Sequence, residues 1–100
     1  MEGHASISPD VLSRYAADAA REVSGVRALV ERPLPIRRGV RIDSEDGTLR
    51  VELHLAVEWG ASIPEVGRTV QTRVAEYLAR MADIEDATVD VVVEEVGPVA

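Results

Sequence analysis

A chain of 100 residues with 46% apolar side chains has room for one core, which must be aliphatic because Phe is absent and only one Trp and two Tyr occur. Eighteen acidic against eleven basic residues give a net charge of −7, which opposes nonspecific binding to nucleic acid or anionic lipid and favours a basic protein surface. Without cysteine there is no disulfide framework, no thiolate metal site and no thiol nucleophile.

The first ten residues, MEGHASISPD, lack a basic flank and an apolar run, and no stretch approaches the roughly 20 apolar residues of a membrane span. The expected location is the cytoplasm, with any membrane association supplied by a partner. Residues 1–6, with His4 among them, are expected to be a flexible terminus, and residues 7–97 a single domain.

ISPDVLSRYAADAAREVSG opens as a helix. Ser8 is a good N-cap, Pro9 stands where its missing N–H costs nothing, and Ile7 and Leu12 can form a hydrophobic staple. Leu12, Tyr15, Ala16, Ala19 and Val23 share one face, Arg14, Asp18, Arg21 and Glu22 face water, and Gly25 is the expected left-handed stop.

VRAL and Val30 form a short strand, followed by the loop ERPLPIRRG, whose two prolines exclude a central strand and whose Arg37 and Arg38 make a local basic cluster. Val40 and Ile42 then alternate with Arg41 and Asp43, and Ser44-Glu45-Asp46-Gly47 turns the chain back as a hairpin.

The returning strand carries the clearest period. Leu49, Val51, Leu53, Leu55, Val57 and Trp59 lie on one face, and Thr48, Arg50, Glu52, His54, Ala56 and Glu58 on the other, so one side is expected to be core and the other wet. Trp59 is either core or an exposed partner anchor: this parity favours the core, while its place at the strand's end can leave the indole N–H at the rim.

Gly60 releases the chain from the sheet, and Ser62 with Glu65 has the spacing of a capping box. The helix that follows places Ile63, Val66, Val70, Val74, Tyr77, Leu78 and Met81 on one stripe, and Gly67 inside it implies close packing against the sheet or a partner helix, with packing inside the domain preferred. A last segment alternates Val89, Val91 and Val93 against Thr88, Asp90, Val92 and Glu94. Because a helix joins the last two strands, they should run parallel. The expected fold is α+β, in the order α-β-β-β-α-β, with a mixed sheet and two helices packed on one face.

The pieces VSGV, DG before VELHLAVEWG, and above all IPEV leading into a long helix and a Val-rich final strand resemble the alkaline-shock and general-stress family of bacterial cell-envelope stress proteins. The resemblance runs from about Ile7 to Val96, and the joint from Val57 to Val70 is its most specific part. It implies a small, non-enzymatic α+β protein without cofactors, acting through protein partners and in some members held near the membrane by a separate anchor protein. The loop ERPLPIRR is outside the family pattern, and Trp59 stands where Tyr is more usual. Both bear on partner choice.

Catalytic and metal chemistry is not expected. Glu52, His54 and Glu58 share a strand face, but no second histidine is nearby in sequence, and the solvated-face reading is preferred to a metal site. Ser8 and Ser62 are explained as caps rather than nucleophiles, and the glycines match neither phosphate-binding fingerprint. A small KH-like RNA-binding module is the alternative, with Arg37, Arg38, Arg41 and Arg50 near the hairpin. It is disfavoured by the missing GXXG loop, the absence of stacking aromatics and the negative charge. The candidate partner-binding residues are therefore Arg50, Glu52, His54, Glu58, Asp90 and Glu94 on the polar face, with Arg37 and Arg38 of the loop. A protein partner or a homo-oligomer is expected, and no nucleic acid.

Overall fold

The computed structural model describes residues 7–31 and 39–98. The expectations placed on His4, on Arg37 and Arg38 and on the rest of 32–38 lie outside those residues. The elements run α1 (Pro9–Arg21), β1 (Val26–Leu29), β2 (Val40–Glu45), β3 (Thr48–Glu58), α2 (Ile63–Ala82) and β4 (Ala87–Gly97).

α1 begins as its sequence dictates: the Ser8 hydroxyl accepts the Val11 N–H at 3.2 Å and Pro9 follows the cap. Its end is earlier than expected. The helix stops at Arg21 with Glu22 as a right-handed cap, and Gly25, at φ +97°, instead shapes the turn into β1. A Cβ there would lie 2.7 Å from the Val66 side chain, so the turn sits hard against α2. Four alanines, Ala16, Ala17, Ala19 and Ala20, make most of the buried face of α1 and let it approach both the sheet and α2 closely. Tyr15 and Tyr77 meet edge to face between the helices, with ring centroids 5.7 Å apart.

β3 is the spine of the sheet. β2 pairs antiparallel with its first half and β1 antiparallel with its second half, so both lie along one side, while β4 runs parallel along the other. The hairpin between β2 and β3 turns on Asp46 and Gly47, both at positive φ (53° and 79°), which matches the twist of the paired strands. Val51, Leu53, Leu55 and Val57 of β3 are fully buried under the helices, together with Val70, Val74 and Leu78 of α2. At roughly 1.5–3 kcal/mol per large aliphatic side chain, this layer fixes the register of β3.

The α2 stripe is buried only in its middle. Ile63 and Met81, at its ends, are 42% and 45% exposed. Gly67 also departs from expectation. A Cβ added there would meet nothing within 4 Å, so no close packing requires a glycine. Gly67→Ala should therefore stabilise the protein by about 0.5–1 kcal/mol, seen as a rise in melting temperature of a few degrees.

Candidate functional site

Two faces of β3 were expected, one dry and one wet, and the second is not wet at its centre. His54 is 7% exposed and Ala56 1%, although both point away from the helices. The backbone explains part of this. At the seam where β1 gives way to β2, the His54 N–H donates to the Gly39 carbonyl and its carbonyl accepts from the Val30 N–H, each at 2.8 Å. His54 thus stands in the middle of the sheet with strands on both sides.

A bulge explains the rest. Leu55 pairs with Val93 but Ala56 pairs with Glu95, so Glu94 is an extra residue in β4. Glu94 reaches His54 Nδ1 at 2.5 Å, and Glu52 reaches Nε2 at 2.6 Å. Glu95 turns to Arg27 of β1, at 3.1 Å. To get there Arg27 lies across the sheet, over the small residues Ala56 and Gly97: a Cβ on Gly97 would be 3.1 Å from the Arg27 Nε. The smallness of Ala56 and Gly97 is what leaves room for this strap.

The face continues with Arg50 and Asp90 at 3.8 Å and Arg41 and Asp43 at 3.0 Å, all about half exposed. Five of the predicted residues, Arg50, Glu52, His54, Asp90 and Glu94, are thereby brought onto one surface. Glu58 stands at the end of β3, away from this cluster, where it is one of the residues lining a cleft. Arg27 and Glu95 were missed, since a bulge in a run of Val and Glu leaves no turn residue to mark it.

Chemically, both ring nitrogens of His54 face carboxylate oxygens, which accept and do not donate when ionised. The carboxylates sit on opposite ring nitrogens and do not converge on one point, and no group of three metal-ligating side chains is found among the described residues. Tyr15 and Tyr77 are between the helices and Trp59 is at the strand end, so the described residues place no aromatic on this face for base stacking.

A small α+β domain with two helices on one side of a mixed sheet and a mesh of ion pairs on the other is the class of protein these features define. Residues 1–98 match the model of the alkaline shock protein 23 family, described as having a cell envelope-related function, and the chain belongs to that family. Over 92 residues it is 30% identical to an uncharacterised protein of Bacillus subtilis (strain 168), YqhY, covering 82% of this chain and 68% of that protein. Among solved structures the chain is similar to the MamM CTD, with a TM-score of 0.58 at 17% identity over 87% of this chain and 100% of that one. It is likewise similar to the copper form of the MamM CTD, with a TM-score of 0.57 at 18% identity over 87% of each. These two likenesses show the fold alone. No helix among the described residues is long and apolar enough to cross a membrane.

Proposed function

We propose that the protein is a non-enzymatic component of the cell-envelope stress response that works by docking the charged face of its sheet onto a protein partner, with placement at the envelope supplied by a separate membrane-anchor protein. The family's envelope-related description gives the setting. The observation that carries the mode of action is the face itself, where Arg50–Asp90, Arg27–Glu95 and the Glu52–His54–Glu94 cluster hold side chains of both signs. Such an array exchanges its internal pairs for those of a complementary surface and rejects a surface of the wrong pattern.

Affinity capture from the membrane fraction of the source cells tests this with two variants. Arg50→Glu breaks the Arg50–Asp90 pair, whereas Arg50→Glu with Asp90→Arg restores it with reversed polarity. Both should lose the partners captured by the wild type. If the double variant keeps the full set, the pair serves the fold only and the docking role is wrong.

A further inference from the structure

We propose that the cleft at the joint between β3 and α2 binds an arginine side chain of a partner protein, stacked on Trp59 and paired with Glu58 and Glu65. The cleft measures about 530 Å³ and lies between the turn from α1 to β1 and the start of α2. It is distinct from the cluster around His54, so the proposal stands or falls apart from the polar-face reading.

Three observations carry it. First, Trp59 is 73% exposed, although the parity of β3 would have buried it. The strand ends at Glu58, and the chain leaves the sheet through Gly60 at φ +91°. This is not fraying. The Glu58 N–H donates to the Gly25 carbonyl at 2.8 Å, the Trp59 N–H donates to the Gly97 carbonyl, and the Ala61 N–H donates to the Glu58 carbonyl at 3.1 Å. A large ring is thus held in water by a fixed backbone, in the state from which an aromatic contact gains most.

Second, Glu58 and Glu65 are both residues of the cleft lining, and neither has an ion pair or side-chain hydrogen bond among the described residues. This sets them apart from Glu52, Asp90 and Glu95, each of which has an Arg or His side-chain partner within the fold. A planar guanidinium meets both demands at once, stacking on the indole and bonding to carboxylates in its plane. Third, the net charge of −7 draws a basic partner and repels a second copy of this chain.

An anion is the poorer fit. The start of α2 is already capped by the Ser62 hydroxyl, which accepts the Glu65 N–H at 3.4 Å, and Glu65 adds negative charge there. Arg73, the one cation in the lining, is eight residues further along the helix, about 12 Å from Glu65 at 1.5 Å per residue.

Trp59 is the only tryptophan, so its emission reports on this cleft alone. The wild type is titrated with acetylated, amidated tetra-arginine and, separately, with tetra-glutamate and inorganic phosphate. A saturable change with tetra-arginine only is expected, about tenfold weaker in Glu58→Gln/Glu65→Gln. A charge-matched control, Glu85→Gln/Asp86→Asn, removes the same two charges at the opposite end of α2 and should bind within about twofold of the wild type. No saturable change, equal weakening by both double variants, or a response to tetra-glutamate or phosphate instead would overturn the proposal. So would an emission change that follows protein concentration without peptide, since that assigns the cleft to a second copy.

Discussion

Replacing Leu53 with alanine should cost about 2–5 kcal/mol of stability, a large part of the 5–15 kcal/mol that holds a domain of this size together. Leu53 has no exposed surface and lies midway along β3, with Val40 beside it on one side and Val91 on the other. Strands on both sides and helices above prevent collapse into the space, so the loss includes a cavity as well as the lost transfer energy. Urea denaturation measures it as a lower midpoint with unchanged slope. Val92→Ala, on the opposite face and 39% exposed, should cost less than about 1 kcal/mol in the same assay. Equal losses at the two positions would mean that the polar face is as dry as the core.

That contrast also shows where the sequence is informative. The strict period of β3 identifies its dry face correctly from Leu49 to Val57, because a one-residue slip would expose every aliphatic side chain together. The caps at Ser8 and Ser62 were legible because each bond is made within three residues. The parallel pairing of β3 and β4 follows from the intervening helix. What the sequence hides depends on neighbours distant along the chain. Trp59 obeys the parity of a strand that has already ended, and Gly67 has no packing reason that a one-dimensional pattern could reveal. His54 looks solvated because its carboxylate partner Glu94 is 40 residues away and reaches it at a bulge. The candidate face was therefore located by alternation, but its internal pairing was not.

The second large effect follows from that pairing. His54→Ala should destabilise the protein by about 2–3 kcal/mol, because it strips two part-buried carboxylates of their hydrogen-bonding ring. The substitution removes the ring that lies between Glu52 and Glu94 and leaves two carboxylates facing one another across the gap. Packing alone would also make the loss of an imidazole costly, so the single variant does not isolate the charge. The same His54→Ala change made on a Glu52→Gln/Glu94→Gln background does. With neutral amides in place of the carboxylates, the repulsion is gone and amide groups can donate as well as accept, so the added cost should fall below about 1 kcal/mol. Chemical denaturation of the four proteins closes the cycle. A difference near zero between the two backgrounds would make His54 a space-filler in the seam between β1 and β2, and the negative side chains around it would then owe their positions to the bulge in β4 rather than to the ring they flank.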